Sequence, residues 1–154
     1  MPIRVHVSQL TNEQLLNKLG IKKRAKPREL ERLEQVGVIN WARGEEETHP
    51  VLQLLYAVPN GGKRNRRVAE KLKAEGVLPG VLDLCLPVAR SGYHGLYIEM
   101  KHGDNKLSKP QSKFAQGVIA EGYCVAVCYS SKEATATLRW YIGMSPNKPG
   151  CVLN

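Results

Sequence analysis

Residues 80–103, GVLDLCLPVARSGYHGLYIEMKHG, decide the fold of this chain. Two short apolar runs flank a polar turn. Leu96, Ile98 and Met100 alternate with Tyr97, Glu99 and Lys101, which predicts a strand with Glu99 and Lys101 side by side on one face. Asp83 stands in the preceding run among Leu82, Leu84 and Leu86, and the same reading gives a second strand that carries an acid. The segment Ala89 to His94 predicts a hairpin turn that returns the second run antiparallel to the first. Paired in this way, the runs bring two carboxylates and one ammonium together. That is the minimum set for holding a divalent cation beside a water.

Downstream, Ser108, Pro110 and Gln111 have the form of a helix start, with Ser108 and Gln111 as a capping box. The helix ends at Gly122 and has Phe114, Ala115, Val118 and Ile119 as its buried stripe. Tyr123 to Tyr129 is almost wholly apolar, which predicts a strand covered on both faces. A strand–helix–strand crossover makes it parallel to the Glu99 strand. Ser130 and Glu133 start a last helix from Ser131 to about Ile142, and residues 144–154 form an irregular tail.

Upstream, helical spacing predicts a helix over Arg28 to Arg43, weakened at Gly37 by about 1 kcal/mol. Glu31 and Gln35 share one face of it. Val51 to Val58 suggests a strand, stopped by Pro59-Asn60-Gly61-Gly62. Asn65 caps a helix from Arg66 to Glu75 whose apolar side is Val68, Ala69 and Leu72. The same segment is densely basic, with Lys63, Arg64, Arg66, Arg67, Lys71 and Lys73 as candidate DNA-phosphate contacts. Residues 1–27 suggest a basic appendage with a short helix over Thr11 to Leu19. The run IKKRAKPR is either a solvated linker or a phosphate-binding arm. The fold class is therefore α/β: a small mixed β-sheet flanked by helices over residues 28–143.

A chain of 154 residues suits one such domain. Its formal charge of +9 favours a polyanionic partner, nucleic acid first. Of the cysteines at 85, 124, 128 and 151, three lie in or beside apolar strand runs, where Cys serves as a small hydrophobe, and the CxxxC pair Cys124 and Cys128 lacks the second ligand pair of a zinc site. His6, His49 and His94 lack companions at ligand spacing, and His102, next to the acids, reads as a surface histidine or as a contact to phosphate or metal. No signal-peptide pattern is present, nor an apolar run near the ~20 residues needed to span a bilayer. The expectation is a cytoplasmic protein with no membrane partner.

Several segments in order resemble one family. They are Glu31-Arg-Leu-Glu-Gln35 with Trp41, Ala57-Val-Pro-Asn-Gly-Gly62, and Lys73-Ala-Glu-Gly-Val-Leu-Pro-Gly80. Val81-Leu-Asp-Leu84, Leu96-Tyr-Ile-Glu-Met-Lys101, Leu107-Ser-Lys-Pro-Gln111 and Gly122-Tyr-Cys-Val125 follow. Together they resemble the VRR-NUC domain of the PD-(D/E)XK nuclease superfamily, familiar as a small stand-alone domain in phages and their hosts. One departure is Leu82, where the family usually has proline. That residue is not a ligand, so the resemblance implies altered strand entry rather than lost chemistry.

The resemblance implies a restriction-endonuclease-like core and a Mg²⁺- or Mn²⁺-dependent DNA endonuclease. It implies Glu31, Asp83 and Glu99 as metal ligands, and Asp83, Glu99, Lys101 and Gln111 as catalytic residues supported by Gln35 and Asn60. It further implies a 5′-phosphate product, a homodimer and branched DNA such as four-way junctions as substrate. Two other readings keep the same fold: a DNA-binding module without catalysis, and a sequence-specific restriction-type nuclease. Read as structure alone, Asp83 is a strand-end acid capped by backbone donors, Lys101 balances charge and Gln111 completes a capping box.

Overall fold

The computed structural model describes residues 26–60 and 65–147. The helix expected over Thr11 to Leu19, the basic residues Lys63 and Arg64, and the end of the tail lie outside those residues. Helix α1, Pro27–Gly44, carries proline in its first turn. Proline's fixed φ suits a helix start, and the N–H it lacks has no partner there anyway. Asn65 caps helix α2, Arg66–Ala74, by accepting the Val68 N–H at 2.9 Å. Strands β2, Leu84–Leu86, and β3, Leu96–Met100, are followed by helix α3, Lys109–Ala120. Strand β4, Cys124–Cys128, and helix α4, Ser131–Ile142, complete the order.

The expected strand over Val51 to Val58 is instead a 3₁₀ turn, Pro50–Leu54, followed by a two-residue strand β1, Tyr56–Ala57. Pro50 opens the turn, and the Leu52 N–H closes onto the His49 carbonyl at 3.0 Å. This buries Leu52 and leaves Leu54 exposed. The sheet runs β1-β2-β3-β4. The first two pairings are antiparallel and the third is parallel, as the crossover requires.

Tyr56, Cys85, Tyr97 and Val125 form one row across the sheet. Leu84, Leu86, Leu96, Ile98 and Met100 lie in the main core with Val38 of α1 and with Ala134, Leu138 and Tyr141 of α4. Alternation puts Tyr97 and Glu99 on the opposite face. There the Tyr97 ring meets Phe114 of α3, near-perpendicular at 5.3 Å between centroids. Helices therefore cover both faces, but unequally. Ile119, expected in the buried stripe of α3, is 54% exposed. Strand β4 is an edge, and of its residues only Cys128 is buried, so it is not covered on both faces as expected. Helix α2 buries none of its residues. Residues 144–147 are held to the hairpin turn: the Ser91 N–H donates to the Ser145 carbonyl and the Gly92 N–H to Asn147 Oδ1, each at 2.9 Å.

Candidate active site

Asp83 lies one residue before β2 rather than inside a strand. Its carbonyl accepts the Val58 N–H at 2.8 Å, which fixes the bend. Its carboxylate reaches across to β3 and accepts the Met100 N–H at 2.9 Å through Oδ2. The side chain thus stands in for a ladder bond where the pairing of β2 with β3 stops. Both readings of Asp83 hold together: a backbone donor caps it, and it stays beside Glu99.

Glu99 projects from β3 on the face away from the main core and is only 2% exposed. Lys101 follows at the strand end, where its N–H donates to the Cys128 carbonyl at 2.9 Å. Its Nζ lies 2.8 Å from Glu99 Oε1 and donates to Gln111 Oε1 at 3.0 Å. Gln111 Nε2 in turn donates to Glu99 Oε1 at 2.5 Å. The three side chains close a ring. The capping box is what aims Gln111: its Oε1 also accepts the Ser108 N–H at 2.9 Å, while the Gln111 N–H reaches Ser108 Oγ. With the oxygen held at the helix N-terminus, the amide nitrogen points at Glu99. Cap and site are one arrangement.

The ring leaves one acceptor unpaired. Among the described residues, Glu99 Oε2 is buried and has no hydrogen-bond partner. Burial pushes the Glu99 carboxyl up to about 7, against the pull of Lys101 and with further upward push from the Asp83 charge. Burial likewise raises Asp83, and the Glu31 charge adds to it, while the Met100 N–H and Lys101 act the other way. Carboxylates here outnumber ammoniums, and a cation would relieve the imbalance.

Helix α1 brings Glu31 to the same place. Its Oε1 accepts the His102 N–H at 3.2 Å and Asn105 Nδ2 at 3.4 Å. Glu31, Gln35, Asn60, Asp83, Glu99, Lys101 and Gln111 all line one cleft of about 1090 Å³. Asn60 is anchored by its Nδ2 donating to the Val81 carbonyl, beside Asp83. Among the described residues, no three His, Cys, Asp or Glu side chains are gathered tightly enough to form a ready metal cluster. Asp83 and Glu99 form a pair, and Glu31 lines the cleft without closing a triad. The donor set still suits a hard divalent cation: oxygen ligands, a buried acceptor without a partner among the described residues, and two acids raised mainly by burial.

Of the basic residues expected at DNA, Arg66, Arg67, Lys71 and Lys73 on α2 do not line this cleft. Arg66 pairs with Glu70 at 2.9 Å and Lys71 with Glu75 at 3.8 Å, one turn along the same helix. The cleft is lined instead by Lys26, Arg28 and Arg32. Lys26 and Arg28 belong to the basic run already noted. Arg32 lies outside that run, but its i, i+4 spacing from Arg28 puts the two on one face. Tyr93 packs on Tyr141 with centroids 6.4 Å apart and is not part of the cleft lining.

A family model described as the VRR-NUC domain matches residues 12–132. The chain is also similar to a solved structure of a VRR_NUC domain protein, at 28% sequence identity and a TM-score of 0.66. That match covers 76% of this chain and 91% of the other. No curated protein sequence matches it.

Proposed function

Because the chain belongs to the VRR-NUC domain family, we propose that it is a divalent-metal-dependent endonuclease that hydrolyses DNA phosphodiester bonds. Membership of the family makes the chain a nuclease of the PD-(D/E)XK type in a restriction-endonuclease-like fold. The finer reading is carried by one observation: the ring of Lys101, Glu99 and Gln111 beside Asp83, with Glu99 Oε2 buried and unpaired in an open cleft.

In this reading Asp83 and Glu99 hold Mg²⁺ or Mn²⁺, with Glu31 as a further acidic neighbour. The bound cation supplies Lewis-acid polarisation of the phosphate and a lowered pKa for water. The chain's own residues do the rest. Lys101 Nζ, already within reach of Glu99, orients the attacking water and balances charge that builds on the phosphate oxygens. Gln111 keeps Glu99 and Lys101 in register. Asn60 and the Val58 N–H fix the bend that carries Asp83. Gln35 lines the wall beside Glu31. Lys26, Arg28 and Arg32 take the DNA backbone at the cleft, and the α2 cations Arg66, Arg67, Lys71 and Lys73, with Lys63 and Arg64, extend a non-specific contact.

We further propose branched DNA, such as four-way junctions, as substrate and a homodimer as the acting form. Two copies present two sites to two strands. The test uses purified protein with Mn²⁺ on a four-way junction and a linear duplex of the same sequence. The expected result is faster cutting of the junction to 5′-phosphate ends, abolished by EDTA. Equal or faster cutting of the duplex would overturn the substrate assignment.

A further inference from the structure

A second groove, of about 560 Å³, runs between the 77–80 turn and α3 and plays no part in the chemistry above. Its walls are Leu78, Pro79, Phe114 and Val118, and Lys109 and Lys113 also line it. The size falls within the ordinary range of small-ligand sites. Leu78 is 55% exposed, an apolar tip that the described residues leave open. Neither lysine has an ion-pair partner among the described residues.

Gly117 lies inside α3 and lines the groove. Glycine within a helix weakens it. Nothing lies within 4 Å of where its Cβ would stand, so packing inside the molecule does not require a glycine there. The missing side chain leaves room for something from outside.

The groove is rigidly tied to the cleft. Gly80 has φ +88, and a Cβ there would sit 2.5 Å from the Pro110 carbonyl carbon, so only glycine lets the turn rest on the first turn of α3. Pro110 walls the groove, and Gln111, the next residue, holds Glu99. Phe114 is pinned by Tyr97, which shares the sheet face of Glu99. Two copies of the chain meeting here face to face would set these lysines against themselves. An apolar slot flanked by two lysines fits instead a ligand with a flat apolar body and flanking negative charge. In DNA that is an unpaired nucleotide, because paired bases keep their faces stacked inside the duplex.

We propose that this groove takes an unpaired nucleobase beside the scissile phosphate, with Lys109 and Lys113 on the flanking phosphates. The enzyme then selects DNA that carries unpaired nucleotides at the cut. The position beside a scissile phosphate rests on the nuclease reading; the binding of the base does not. The test uses duplexes with 2-aminopurine at one unpaired position or at the same position paired. Affinity and fluorescence are measured in EDTA, and cleavage is measured afterwards with Mn²⁺.

Wild-type protein is expected to bind the unpaired duplex about tenfold more tightly, with a change in 2-aminopurine emission. Gly117→Leu, which fills the slot with a better helix former, loses that preference without a lower melting temperature. Leu78→Ser, at an exposed position, weakens the preference in the same direction. Equal wild-type affinity for both duplexes overturns the proposal, as does an undiminished preference in both variants. Cleavage without any preference that Gly117→Leu removes sinks the groove and spares the nuclease. A preference that Gly117→Leu removes, in a protein that cuts no DNA, does the reverse.

Discussion

Replacing Glu99 by glutamine should make the metal-free protein more stable above neutral pH while removing its cleavage. Burial lifts the Glu99 carboxyl from 4.5 to about 7. At ~1.4 kcal/mol per pH unit, the ionised form costs the fold about 3 kcal/mol relative to the unfolded chain. The folded state holds the proton more tightly than the unfolded one, so it binds more protons between those two values. The contribution of this carboxyl to stability is therefore highest below about pH 4.5 and falls as pH rises to about 7.

An opposing effect must be weighed. Deleting one partner of a buried ion pair usually costs about 3–5 kcal/mol, because the other charge is stranded. Lys101 is not stranded here, since its charge still acts on Asp83, and Glu31 lies on the same cleft. Glutamine also keeps an oxygen for Lys101 and Gln111 to donate to. The net gain at pH 8 is then about 1–3 kcal/mol, or several degrees in Tm for a domain of this size. Urea unfolding of both proteins in EDTA, from pH 5 to 8, reads the difference directly. The two stability curves should diverge by about 2.5 kcal/mol across that range. Parallel curves would refute the reasoning, whatever their offset, because only the carboxyl's titration makes them diverge.

Gln111→Glu keeps the capping box, which accepts either residue, but sets an acid beside Glu99. The fold should survive, the pH profile of cleavage should move to higher pH, and kcat should fall. An unchanged profile would separate Gln111 from the chemistry. Arg28→Ala and Arg32→Ala should each weaken binding of any DNA sequence and lower the slope of log K against log salt by about 1, measured by titration at several salt concentrations. Asn65→Ala removes the α2 cap and should cost about 1 kcal/mol or less in urea unfolding, because α2 buries nothing.

The pairing of β2 with β3 was legible because one face of each is buried and the acids interrupt leucine runs at fixed spacing. The Ser108 capping box and the crossover helix were legible for the same local reason. The segment over Val51 to Leu54 was not, since an apolar 3₁₀ turn and a short strand have the same composition. What separates them is Leu52 finding the core while Leu54 does not. Edge exposure of β4 and the outward turn of Ile119 depend on what packs nearby, which periodicity does not encode. The site acids were readable as charges out of place. The second role of Gln111 was not fixed by spacing, because a capping box needs no further partner. Only the fold shows that its amide reaches Glu99. Arg32 required knowing that α1 lies along the cleft, and the basic density of α2 drew attention to a helix that stands apart from it.

The central claim is that Asp83, Glu99 and Lys101 make a metal-dependent DNA-cutting site. Nicking of supercoiled plasmid in Mn²⁺ by wild-type protein, Asp83→Asn and Lys101→Ala, with DNA binding measured in parallel, tests it most directly. Cutting by wild type alone is expected, lost on adding EDTA, with binding retained in both variants. Either variant cutting at the wild-type rate would contradict it.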